Sequence, residues 1–175
     1  MTDEVQQARI WFQQNWDPEL TLGEWWTRLA RSGYGFPSWP REWFGLGVSK
    51  DDGRAIHAVR KEAGAFRAPH GIATQMVALS LMEIGTPYQR DRFIPGITTG
   101  TEIWCQLFSE PGAGSDLASV RTRAELRDGG WIVNGQKVWT SGASYADWGI
   151  LLARTDPSLP KHRGLSFFMI DMKQP

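Results

Sequence analysis

The sequence predicts an α+β chain, an all-α helical lobe followed by the start of an antiparallel β lobe. Three observations predict it. Up to residue 100 apolar side chains recur at helical spacing between cap signals. Beyond it they alternate with the two-residue period of strands. Two dipeptides that tolerate positive φ, Asp128-Gly129 and Asn134-Gly135, fall between the later runs as hairpin turns do. The change of period divides the chain into domains at 1–100 and 101–175, and 175 residues suit one domain or two small ones. The chain carries no internal repeat and no low-complexity segment.

Residues 3–16 read as a helix capped by Thr2, with Asp3 and Glu4 in its first turn. Val5, Ala8, Ile10, Trp11 and Phe12 form its apolar face, and Asp17-Pro18 ends it. Thr21 and Glu24 have the spacing of a capping box, which opens a second helix through Ala30 that Ser32-Gly33 stops. Residues 34–48, dense in Gly, Pro and Trp, form an irregular, well-packed connection. Ser49 caps a third helix, Asp51 and Asp52 stabilise its positive end, and Ala55, Ile56, Val59 and Ala63 pack inward. Residues 69–84 are more apolar than amphipathic, which predicts a helix buried nearly all round. Gly85 ends it, Thr86-Pro87 opens a short helix through Phe93, and 95–100 reads as a hinge-like linker. Strands are expected at 102–108, 120–126, 131–133, 136–139, 148–154 and 165–171.

Lysine plus arginine equals aspartate plus glutamate, 19 each, so no global field favours nucleic acid or an anionic membrane. No apolar run reaches the length of a membrane span, and the N-terminus has neither a basic start nor an apolar core, so no signal peptide is expected. One cysteine, Cys105, leaves no partner for an intramolecular disulfide and is read as a buried, inert strand residue. These features together predict a soluble, cytoplasmic chain. The early tryptophans (Trp11, Trp16, Trp25, Trp26, Trp39 and Trp43) read as core and helix-contact filling, or as the lining of a large apolar pocket or subunit interface.

The stretch with most chemical information is 105–116, where an apolar run empties into Ser109-Glu-Pro-Gly-Ala-Gly-Ser-Asp116. Pro111 removes a backbone donor, and Gly112 and Gly114 allow unusual φ and bring bare N–H groups close to a ligand. With a hydroxyl at each end, such a loop can hold a polar or anionic planar ligand; a tight surface turn is the alternative. No Gly-Lys-Ser/Thr phosphate loop occurs, and the Gly112-Ala-Gly-Ser run lacks the third glycine and following helix of a dinucleotide fingerprint. His57, His70 and His162 are isolated and lack metal-ligand spacing. Lys161-His162-Arg163 reads as a solvated basic turn or, alternatively, as a contact for phosphates.

This stretch resembles the flavin-binding signature of the acyl-CoA dehydrogenase family, an apolar strand followed by Ser/Thr-Glu-Pro-x-Ala-Gly-Ser-Asp. Downstream, Asn134-Gly-Gln-Lys-Val-Trp-Thr-Ser141 resembles the family's second motif, and 85–95 also looks familial. The resemblance implies a helical N-terminal domain, an incomplete antiparallel β-barrel-like middle domain, and absence of the family's C-terminal helical bundle. It implies FAD as cofactor, held by Gln106, Leu107, Phe108, Ser109, Gly114, Ser115, Trp139, Thr140 and Ser141. Ser109 and the backbone of Leu107 and Phe108 would face the pyrimidine edge of the flavin. Trp139 would pack on the ring system, and Ser141 would bond N5. Ser115 would sit by the pyrophosphate and by the thioester substrate. Ser109 and Ser141 stand where many relatives have threonine, and Gln106 where aromatic or small residues are common. Glu110 and Asp116 shape the loop in the family, Asp116 by bonding from side chain to backbone.

The implied reaction is α,β-desaturation of an acyl-CoA, with hydride passing to flavin N5, a step of lipid metabolism. The family's proton-abstracting glutamate lies beyond residue 175, so no catalytic residue and no metal ligand is expected here, and the chain alone should turn over little or no substrate. Implied partners are the acyl-CoA, an electron-transfer flavoprotein and a homologous subunit in a homo- or hetero-oligomer. Alternatives are a non-catalytic assembly subunit paired with a complete homologue, or a flavin oxidase or monooxygenase of the same fold. The tryptophan-rich start and small residues Ala73, Thr74, Ala78 and Ser80 point to a roomy pocket for bulky or branched acyl chains.

Overall fold

In a computed structural model, which describes residues 2–174, the chain divides into two units, Met1–Thr101 and Glu102–Pro175. The first is helical: α1 (Asp3–Asn15), α2 (Leu22–Ser32), α3 (Lys50–Glu62), a π-turn (Ala73–Val77) that runs into α4 (Ala78–Ile84), and α5 (Pro87–Thr99). Its core joins α1, α2 and α3 through Phe12, Trp25, Leu29 and Ile56, all fully buried. Burying each such side chain stabilises the fold by about 1.5–3 kcal/mol. Trp16 meets Trp25 edge-on at 4.8 Å, and Trp11 and Trp26 pack against the same cluster. The indole N–H groups are satisfied, Trp25 donating to the Phe66 carbonyl at 2.7 Å and Trp26 to that of Arg67 at 2.9 Å. These bonds pin the segment after α3.

The capping box of α2 forms as its spacing predicts, and Gly33 closes that helix at φ 79°. Ser49 accepts from the Asp52 N–H at the start of α3. Thr2, in contrast, makes no cap bond; its hydroxyl donates instead to the Asp52 carboxylate at 2.9 Å, joining the starts of α1 and α3. Ile10 falls outside the apolar stripe of α1 and is exposed.

Two helical expectations are corrected. Residues 69–71 are not helical, the π-turn follows, and Leu79 and Ile84 are exposed, so this segment is not buried all round. Residues 95–100 are no linker, because α5 runs through Pro95 to Thr99. An interior proline costs about 3 kcal/mol. Burial of Ile94 and Ile97, at about 1.5–3 kcal/mol each, offsets it. The Thr98 hydroxyl also contacts the Ile94 and Pro95 carbonyls at 3.1 and 3.0 Å.

The second unit is a five-stranded sheet: β1 (Trp104–Leu107), β2 (Arg123–Arg127), β3 (Gly130–Asn134), β4 (Trp148–Arg154) and β5 (Leu165–Asp171). β4 is its axis. β5 runs antiparallel along its whole length, while β1 pairs in parallel with its first half and β2 in parallel at Arg123↔Arg154. The sheet is therefore mixed; a period of two shows which face a residue takes and says nothing of strand direction. β2 and β3 form the expected hairpin, turned by Asp128 at φ 50° and Gly129 at φ 82°. Asn134-Gly135 makes no second hairpin, and residues 136–139 form no strand. Gly135 lies so close to Thr122 that a Cβ would stand 2.2 Å from its hydroxyl, and Lys137 turns inward. Among the described residues no helix is long and apolar enough to cross a membrane.

Candidate functional site

β1 carries the chain into the 108–116 loop. Glu110 and Ala113 exchange both backbone hydrogen bonds, at 2.9 and 3.1 Å, closing a tight turn around Pro111-Gly112. Proline presets the first central φ of such a turn. Neither Gly112 nor Gly114 takes positive φ, which corrects the conformational role expected of them. A Cβ added at either would meet nothing within 4 Å. Internal packing therefore does not require these glycines; what they provide is open main chain on the loop surface, where Gly114 and Ser115 are exposed.

The Glu110 side chain turns under the loop. Its carboxylate accepts from the Arg121 and Thr122 N–H groups at 2.7 and 2.8 Å and pairs with Lys137 Nζ at 2.9 Å. Lys137 Nζ also donates to the Phe108 carbonyl at 2.9 Å, and both charged side chains are only 8% exposed. The Val138 N–H donates to the Ser109 carbonyl at 2.9 Å. Burial pushes the Glu110 carboxyl up, but the neighbouring Thr122 hydroxyl, the Arg121 N–H, Lys137 and the Thr122 N–H together hold it at about 2. The Thr122 hydroxyl itself makes no geometric hydrogen bond, so the two N–H groups and the ammonium carry most of this effect. Glu110 thus shapes the loop as a permanent anion.

Asp116 shapes it differently from expectation. Its carbonyl accepts from the Ser119 N–H and hydroxyl, while its carboxylate pairs with Lys161 at 2.9 Å on the surface. Lys161, His162 and Arg163 form an exposed turn. Cys105 is fully buried, and burial raises its thiol.

This clamp brings the 108–110 and 137–141 segments together. Phe108 is half-buried, edge-on to Phe167 at 6.3 Å. Leu107 points into the β core, and Gln106 beside it is half-buried. Trp139 sits at φ 60° with 91% of its surface exposed. A core role for this residue is thereby excluded. An aromatic side chain held in the left-handed region costs about 1–2 kcal/mol. With so little packing in return, the ring's place is not explained by stability. Next to it the Thr140 hydroxyl is buried without a partner, and Ser141 is exposed. Among the described residues no hydrogen bond links Gly114 or Ser115 to the 137–141 segment. Lys137 is the site residue that sequence reasoning passed over, although it stands inside the second motif.

Residues 1–101 match the acyl-CoA dehydrogenase N-terminal domain, and residues 105–175 match the acyl-CoA dehydrogenase middle domain. The chain belongs to the acyl-CoA dehydrogenase family. It is 48% identical over 147 residues to the acyl-CoA dehydrogenase FadE34 of Mycobacterium tuberculosis, covering 84% of this chain and 20% of that protein. It is 43% identical over 151 residues to IpdE1 of the same organism, covering 86% of this chain and 39% of the relative. The ChsE4-ChsE5 complex from Mycobacterium tuberculosis superposes with a TM-score of 0.75 at 32% identity, over 99% of this chain and 48% of the solved one. The Tcur3481-Tcur3483 steroid ACAD gives a TM-score of 0.73 at 29% identity, over 98% and 48%. The chain thus spans between a fifth and about half of the proteins it resembles.

Proposed function

We propose that this chain is the flavin-binding N-terminal portion of an FAD-dependent acyl-CoA dehydrogenase, an oxidoreductase acting on a coenzyme A thioester. The observation that carries this reading is Trp139, an exposed indole on left-handed backbone beside a loop whose glycines face open space. A planar aromatic ligand stacked on that ring and approached by that loop accounts for both. Bound FAD would supply the hydride acceptor for desaturation of the acyl group. Ser109 and the backbone of Leu107 and Phe108 would donate to the pyrimidine edge, where negative charge gathers on reduction. Trp139 would pack on the ring system, Ser141 would bond N5, and Thr140 and Gln106 would complete the wall. Gly114 and Ser115 would meet the pyrophosphate, Ser115 also reaching the thioester. The proton-abstracting base would come from outside these residues, and an electron-transfer flavoprotein would take the electrons.

A bulky, ring-bearing acyl group is favoured as substrate, because a structural neighbour at 29% identity is a steroid ACAD. The similarity to the ChsE4-ChsE5 complex supports a second reading, that the chain works paired with a homologous subunit. Titrating the purified chain with FAD tests the first. Saturable binding with one flavin per chain, weakened in Trp139→Gly, is expected; no binding, or binding indifferent to Trp139, rejects the site. Co-expression with a full-length homologue tests the second, which fails if the two never co-purify.

A further inference from the structure

The helical unit contains a cleft of about 670 Å³ that the flavin reading does not use. Its lining includes Phe36 and Trp39, whose rings stack at 4.1 Å with 16° between planes, and four nitrogen bases, His57, Arg60, Arg67 and His70. No aspartate or glutamate among the described residues lines it. Among the described residues neither guanidinium takes part in an ion pair. Arg60 is fixed in place by a hydrogen bond from Nη1 to the Ala65 carbonyl, yet its Nε is buried without an acceptor. Burial and the charge of Arg67 lower the proton affinity of Arg60, and burial and the charge of Arg60 do the same to His57. The two guanidinium charges therefore press on one another with no carboxylate among the lining residues.

Convergent like charges beside a buried unused donor are unfavourable until an anion joins them. Guanidinium groups present paired N–H donors in the geometry that carboxylate and phosphate oxygens accept. The stacked aromatic pair adds an apolar wall, and the volume lies within the range of small-molecule sites, about 300–1,000 Å³. We propose that this cleft binds an amphipathic anion, a carboxylate or phosphate monoester on an apolar body. Arg60 and Arg67 hold the anion, and Phe36 and Trp39 pack on the body. This site is separate from the flavin loops and needs no flavin, so its test is independent of that reading.

The test is calorimetric titration of the chain with octanoate, octyl phosphate and octanol. At least one of the two anions should bind saturably, one per chain, and octanol about tenfold more weakly. The tighter of the two anions identifies the headgroup. Among the described residues Arg67 makes no side-chain hydrogen bond, so Arg67→Gln should keep the thermal midpoint while weakening the anion about tenfold. No saturable heat with either anion, equal binding of octanol, or full affinity in Arg67→Gln would overturn the proposal.

Discussion

Replacing Lys137 by methionine removes the ammonium that bridges the Phe108 carbonyl and the Glu110 carboxylate while keeping most of the side-chain volume. Both members of the pair are 8% exposed, so the variant leaves a buried carboxylate with only its two N–H partners. Breaking a buried pair from one side costs about 3–5 kcal/mol. The depressed acidity of Glu110 gives the scale of the whole set of donors around it, the two N–H groups as well as the ammonium. The Glu110 carboxyl moves from 4.5 to about 2, on the order of 3 kcal/mol at the usual conversion per unit. Against a domain stability of about 5–15 kcal/mol this is a large fraction. Urea denaturation of Lys137→Met should therefore lose about 3 kcal/mol, and hydrogen exchange should show the Arg121, Thr122 and Val138 amides opening first. Adding Glu110→Gln should recover part of the loss, since it removes the buried charge while its single amide oxygen keeps one of the two N–H bonds, which go to different carboxylate oxygens. A single variant within about 0.5 kcal/mol of wild type, its three amides still protected, would show that the clamp holds nothing.

The remaining predictions probe the clamp's acidity, the helical core and the flavin wall. Because the folded Glu110 carboxyl is depressed, its stabilisation is present above pH 4.5 and is lost as pH falls toward about 2; Glu110→Gln should flatten the denaturation curve across that window. Trp25→Ala empties the centre of the α1–α3 core and orphans the Phe66 carbonyl, so circular dichroism melts should report a loss of about 3–5 kcal/mol. Trp139→Gly should stabilise the chain by about 1 kcal/mol in urea, by relieving left-handed strain at an exposed side chain, while weakening FAD. A residue whose removal helps folding and harms binding is serving the ligand.

What was legible in the sequence was local. The capping box at Thr21 and Glu24 and the Asp128-Gly129 turn are short-range signals complete within a few residues, and both form. β4 and β5 were bounded correctly because their apolar runs end at polar or turn residues. Where distant burial decides, the reading went astray. Pro95 reads as a break, yet buried Ile94 and Ile97 carry α5 through it. Residues 136–139 alternate like a strand, but Lys137 is claimed by groups 27 and 29 residues away, and no periodicity announces such a partner. The two site motifs were visible as words; the buried pair that joins them was not. The exposure of Trp139 was likewise hidden, since the resemblance implied a flavin contact for the ring but not the left-handed backbone on which it stands exposed.

The central claim is that the 108–116 loop and the 137–141 segment form one flavin wall. The most direct measurement is an amide NMR titration of the chain with FAD. The account predicts saturable shifts at Leu107, Phe108, Ser109, Gly114, Ser115, Thr140 and Ser141, together with the Trp139 indole, and quiet signals across α1 to α3. Shifts confined to the helical unit, or none at saturating FAD, would contradict it.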